Sequence, residues 1–151
     1  MHASVGTSGT LLSERLRGIE IATIPGRVGQ QLRNELIFGF TGGSGSSGPQ
    51  LYRLEIAISE RTTSALVSQT NIGEQSAVQR NYNLSAEFQL VRAGDNVVLF
   101  RGKSLARAAL QRFDSVYANV RALRDAQDRA ARTVATDLKV RIEAFLAGTG
   151  S

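Results

Sequence analysis

Cysteine is absent from the 151 residues, which excludes disulfides, thiolate metal sites and a cysteine nucleophile together. The redox compartment stays open, because a periplasmic protein also functions without cysteine. Histidine occurs once, as His2 in a Ser-, Thr- and Gly-rich start, so a histidine-based triad or zinc site would have to be built from a single ring. Tryptophan is missing and aromatics make up 6% of the chain, too few for the base-stacking platforms of a nucleic-acid binder. No run approaches the roughly 18 apolar residues that span a bilayer. Lysine is scarce as well: of 18 basic residues only Lys103 and Lys139 are lysine, so sixteen are arginine.

The composition that remains is 42% hydrophobic and 21% charged with a net charge of +5, suited to one folded domain with a real core. The surplus of arginine favours anionic partners, since a guanidinium meets phosphate or carboxylate through two parallel hydrogen bonds. GC-rich coding produces the same bias, and charge bears on association rather than on fold.

Residues 1–17 read as a flexible lead without apolar periodicity, 18–147 as a single domain and 148–151 as a tail. Ile19 to Ile24 is short, β-branched and closed by Pro25-Gly26, the pattern of a strand and turn. Val28, Leu32, Leu36 and Phe40 recur every four residues, which predicts an amphipathic helix that Gly42 and Gly43 end. Gly42 to Pro49 has no side chain able to pack and reads as a loop. Tyr52, Leu54, Ile56 and Ile58 alternate with polar residues, predicting a half-buried strand that runs, with a bulge near 60–64, to about Gln69. After a turn at Asn71 to Gly73, Val78 to Leu90 gives the clearest alternation in the chain. A hairpin turn at Ala93 to Asn96 returns it through a fourth strand, Val97 to Ala109, whose start is ambiguous. Asp114 or Ser115 is placed to cap a final helix of over 25 residues that carries Val120, Ala131, Val134, Leu138, Ile142 and Phe145 and stops at Gly148. The order strand, helix, three strands, helix predicts an α+β two-layer sandwich: a four-stranded mixed sheet packed against two helices.

Chemistry is harder to find. Asp125 and Asp128 lie on the final helix among Arg121, Arg124, Arg129 and Arg132, the arrangement of a salt-bridged solvated face. The glycine-rich loop lacks the GK[ST] ending of a phosphate loop and follows a helix instead of a strand. No serine sits in a GxSxG elbow. The sequence therefore carries no catalytic, metal or cofactor motif, and the reading is of a non-enzyme. What it does carry is arginine near one end of a predicted meander, where Arg80, Arg107 and Arg112 converge as candidate anion-binding residues. Arg80 shares the parity of Val78 and Tyr82, so it either snorkels from the apolar face or meets an anion, or else pairs with Glu74 or Asp114. The mixed charge of the last helix argues against DNA reading.

Arg27 with Gln30-Gln31-Leu32-Arg33-Asn34-Glu35-Leu36, then Tyr52-Arg53-Leu54, then Tyr117-Ala118 and the alanine-rich run from Asp125-Ala126 to Ile142, resemble the lipopolysaccharide-assembly lipoprotein family, LptE, over about residues 18 to 146. The resemblance implies a lipid-anchored protein on the periplasmic side of the outer membrane, tethered through an N-terminal cysteine upstream of residue 1. It also implies a plug inside the barrel of the partner LptD that helps the barrel assemble and binds lipopolysaccharide in transit. Barrel lumens are polar, which suits a polar plug surface, and lipid A phosphates suit arginine. The alternative is a periplasmic binding module for another anionic polymer, nucleic acid or acidic glycan.

Overall fold

The β-branched run after Gly18 forms strand β1 (Ile19–Ile21), shorter than its sequence pattern, and leads through Pro25 into helix α2 (Gly26–Thr41). These belong to a computed structural model that describes residues 12–42, 50–67, 77–111 and 115–149. Strands β2 (Tyr52–Val67), β3 (Ala77–Arg92) and β4 (Val98–Leu110) follow, then helix α3 (Val116–Thr149). The sheet order is β1-β2-β3-β4, with β1 parallel to β2 and both other pairings antiparallel. The α+β architecture with a four-stranded mixed sheet is therefore present.

One element was not anticipated. Residues 12–17, expected within the flexible lead, form a helical turn, α1, that buries Leu16 in the core and ends where Gly18 N–H donates to the Glu14 carbonyl at 3.1 Å. The ordered domain thus begins ahead of residue 18. At the other end α3 continues through Gly148 to Thr149 instead of stopping there.

The helices cover one face of the sheet only. Leu54, Ile56, Tyr82, Leu84, Ala86, Phe88, Leu90, Ala106 and Ala108 point to that face and meet Val28, Leu32, Leu36 and Phe40 of α2. From α3 come Ala126, Ala130, Val134, Leu138, Ile142 and Leu146. The alanines let α3 approach the sheet closely. Phe100 joins the two layers, edge-on to Phe88 with centroids 5.7 Å apart and stacked on Phe145 at 5.0 Å, and such pairs contribute about 0.5–1.5 kcal/mol beyond their burial.

Glycine decides two local points. Gly42 terminates α2 in the left-handed region at φ 68°, donating to the Phe38 carbonyl at 2.8 Å, a conformation without penalty only for a residue lacking Cβ. Gly29 lies where α2 crosses the preceding chain, and a Cβ there would sit 2.7 Å from the Ile24 carbonyl oxygen.

The bulge expected near 60–64 is not there: β2 pairs with β3 without a shift from Tyr52↔Arg92 to Val67↔Ala77. The irregularity lies instead between β3 and β4, at Leu90/Val91, where Leu90 pairs with Phe100 and Val91 with Val98. One extra residue in β4 accounts for the ambiguous alternation of Val97-Val98-Leu99-Phe100. The β3–β4 turn is closed by Arg92 N–H to the Val97 carbonyl at 2.9 Å, with Asn96 in the left-handed conformation that asparagine tolerates. Ser115 caps α3, its Oγ accepting from Ala118 N–H at 3.3 Å. The turn at Asn71 to Gly73, most of the Gly42 to Pro49 loop and Asp114 lie outside the described residues.

Candidate functional site

Because the described helices cover a single face, no described element packs on the other face of the sheet. Strand alternation places Arg53, Glu55, Ala57, Ser59, Arg61 and Thr63 of β2 there. Asn81 to Gln89 of β3 and Arg101, Lys103, Leu105, Arg107 and Ala109 of β4 supply the rest in odd-numbered steps. The register fixes the rows across the strands: Ala57, Glu87 and Lys103; Ser59, Ser85 and Leu105; Arg61, Asn83 and Arg107. Arg61 and Arg107 thus flank Asn83 on backbones about 10 Å apart, two strand spacings.

Asn83 organises this row. Its Oδ1 accepts from Arg107 Nε at 3.1 Å, and its Nδ2 donates to Thr63 Oγ1 at 3.0 Å and to the Arg61 carbonyl at 3.2 Å. The amide therefore holds Arg107 by one edge, and no described residue bonds to its outer guanidinium nitrogens. Arg61, Lys103 and Arg107 line a shallow trough of ≈ 670 Å³ floored by Ser59 and Ser85. A second depression of ≈ 550 Å³ adjoins it through Lys103, with Arg101, Glu55 and Glu87 around it. No ion pair among the described residues involves Arg61, Arg101, Lys103 or Arg107. Cations without an ion pair among the described residues, around a hydroxyl floor with exposed Leu105 between them, fit an anionic amphiphile: phosphate or carboxylate against the guanidiniums, a hydrocarbon against leucine.

The expected convergence of Arg80, Arg107 and Arg112 does not occur in the form anticipated. Arg80 pairs with Leu110 at an even position of β3 and belongs to the helix-facing side, half-buried, whereas Arg107 is on the open face. A strand sends neighbouring parities to opposite faces, so nearness along a meander does not bring the two together. Arg112 lies outside the described residues. Arg61 and Lys103 were missed. The expected bulge at 60–64 left the face of Arg61 undetermined, although the alternation Arg53, Glu55, Ala57, Ser59, Arg61 already puts it with the polar side once the strand is continuous.

Most remaining arginines have structural partners. Arg33 Nε donates to the Ile21 carbonyl at 2.9 Å and Arg15 Nη1 to the Leu146 carbonyl at 3.0 Å, tying element ends together. On α3 the salt-bridged face is present: Asp125 pairs with Arg129 at 3.1 Å, and Asp128 with Arg27 of α2 at 3.3 Å. These pairs are solvent-exposed, worth about 0–1 kcal/mol each. At the far end of the open face, hydrogen bonds from Gln89 and then Arg53 hold the Glu55 carboxyl below its ordinary value. Under the helices, Tyr82 is 2% exposed and donates from its hydroxyl to Glu60 Oε1 at 2.7 Å. Burial above all, then that carboxylate, pushes the phenol well above its usual value. No group of three or more metal-ligating side chains occurs among the described residues. No described helix is long and apolar enough to cross a membrane.

Solved structures share this arrangement of one-sided sheet and helices. A protein of Caulobacter crescentus described as a lipoprotein superposes with a TM-score of 0.76 at 23% identity, over 92% of this chain and 98% of its own. The likeness is one of fold. The minor lipoprotein of Acinetobacter baumannii has a TM-score of 0.59 at 15% identity, covering 83% of this chain and 91% of that one. The rare lipoprotein B of Shewanella oneidensis has 0.53 at 9% identity, covering 88% and 98%. No protein-family model matches the chain, and no curated protein matches it by sequence. The same fold thus recurs at identities where few side chains are shared.

Proposed function

We propose that the chain is a non-enzymatic subunit of outer-membrane assembly. In this reading it is lipid-anchored in full length, faces the periplasm, plugs and helps assemble the LptD barrel, and binds lipopolysaccharide on its way to the cell surface. Three supports combine: the LptE-like segments of α2, β2 and α3, the fold shared with proteins described as lipoproteins, and the site itself. The observation that carries the reading is the row Arg61, Asn83, Arg107 with Lys103 beside it, cations with no ion pair among the described residues on a sheet face that no described helix covers. Lipid A presents phosphates beside acyl chains, which is the chemistry that face offers to accept.

The test is binding of fluorescent lipopolysaccharide to the purified chain at low and physiological salt. Arg61→Glu combined with Arg107→Glu should weaken it at least tenfold, since a charge-assisted hydrogen bond contributes about 1.5–3 kcal/mol. Arg80→Glu, on the opposite face, should leave it unchanged. Unaltered affinity in the double variant would remove the open face from the site. Displacement by heparin or single-stranded DNA with no lipopolysaccharide binding would favour a different anionic polymer. Co-purification of the full-length protein with LptD tests the plug assignment separately.

A further inference from the structure

Strand β4 is an edge of the sheet, and that edge is only partly guarded. In an antiparallel ladder alternate residues turn both backbone groups to the neighbouring strand, and those between turn them outward. The Lys103 and Ala109 carbonyls are of the outward set, for each accepts from an arginine of α3. Arg141 Nη1 reaches Lys103 at 2.8 Å and Arg129 Nη2 reaches Ala109 at 3.2 Å. Both guanidiniums are held in place: Asp125 accepts from Arg129 Nε at 3.1 Å, and Asp137 accepts from Arg141 Nε at 3.2 Å and from Ser104 Oγ at 2.6 Å. A guanidinium seated on an outward carbonyl covers that end of the edge against an incoming strand, a recognised defence of sheet edges.

Between the two caps lie Leu105 and Arg107, of the same parity, and no described residue bonds to their outward backbone groups. Leu105 is 69% exposed, and Lys103 and Arg107 have no carboxylate partner among the described residues. A second copy is a poor occupant. Antiparallel pairing of two β4 edges centred on Leu105 sets Lys103 opposite Arg107 twice, and like charges directly opposite destabilise a ladder. A strand with carboxylates opposite Lys103 and Arg107 and an aliphatic residue opposite Leu105 is complementary at all three positions. We infer that Lys103 to Arg107 of the β4 edge is a strand-addition site for an extended acidic segment of a partner protein, seated between the two arginine-capped carbonyls.

The inference shares Lys103 and Arg107 with the proposed lipopolysaccharide site, but it adds backbone groups of the edge and does not use Arg61, which lies two strands away. The probe is the peptide Ac-TETVTET-NH2 titrated into the isotope-labelled intact chain. Binding with at least about tenfold slowed exchange of the Leu105 and Arg107 amides is expected. Two methylated peptides separate pairing from charge attraction: one methylated on the amides of its glutamates and valine, the other on those of its inner threonines. Only one edge of the peptide faces β4, so one form should bind and the other should not. Equal binding of both, or no binding of the parent peptide up to about 1 mM, overturns the inference. Arg61→Gln, about 10 Å in from the edge, should leave peptide affinity within twofold while weakening lipopolysaccharide. Equal loss of both ligands would count against a separate edge site.

Discussion

Raising the pH through 10 should expose the role of Tyr82. Its ring is 2% exposed and its hydroxyl donates to Glu60 Oε1 at 2.7 Å, so ionisation would put a phenolate in the core beside a carboxylate. The folded-state value lies above the unfolded value of 10.0. The sign follows from proton counting. Above pH 10 the unfolded chain has released this proton and the native chain has not, so native protein binds more protons and stability falls as pH rises. One proton corresponds to about 1.4 kcal/mol per pH unit. The comparison with Tyr82→Phe isolates it from other groups. At pH 8 the variant should be less stable by roughly 1–3 kcal/mol, the loss of a hydrogen bond to a charged acceptor. Between pH 10 and 11 that cost should shrink by about 1 kcal/mol, less than the full slope because the unfolded phenol is half ionised at pH 10, and the variant has no phenol to ionise. Urea denaturation of both proteins at pH 8, 10, 10.5 and 11 measures it. A cost of Tyr82→Phe that stays constant across this range would refute the reasoning, as would a full three-tyrosine ionisation signal from protein that is still folded at pH 11.

Leu84→Ala, at a side chain 1% exposed between the sheet and helices, should cost about 2–5 kcal/mol in the same urea assay. Gly29→Ala drives a Cβ to 2.7 Å from the Ile24 carbonyl oxygen and should lower stability by about 1–3 kcal/mol, with the loss visible as a reduced thermal midpoint. In an NMR pH titration Glu55 should ionise below its ordinary value of 4.5, and Gln89→Ala should move it back upward. A carboxylate favoured in the folded state contributes stability above its unfolded value, and that contribution disappears as pH falls through the folded value. An unmoved Glu55 in the Gln89→Ala protein would mean that the 2.6 Å contact has no part in holding it.

How much of this was legible varies by element. The four-residue recurrence from Val28 to Phe40 identified α2, and the alternation from Tyr82 to Leu90 identified β3, because each pattern is a projection of the apolar face that the element buries. The hairpin at Ala93 to Asn96 and the cap at Ser115 were equally readable from local chemistry. The segment holding α1 was not, since Leu12 and Leu16 supply a single apolar turn whose burial depends on helices distant in sequence. The bulge also escaped its true place. Any strand tolerates one extra residue, and only pairing with a partner shows which residue is extra.

The candidate site shows the same division. Composition alone established that the chain is rich in arginine, lacks thiols and has one imidazole, and the period of its apolar residues established the α+β order. Which arginines are free was decided by tertiary structure. Arg129 and Arg141 are spent on β4 carbonyls, Arg80 and Arg107 fall on opposite faces, and Arg61 meets Arg107 across Asn83. Side-chain periodicity reports which face a residue takes within its own element, whereas the neighbour across the sheet is set by register, a relation between segments that no local pattern encodes.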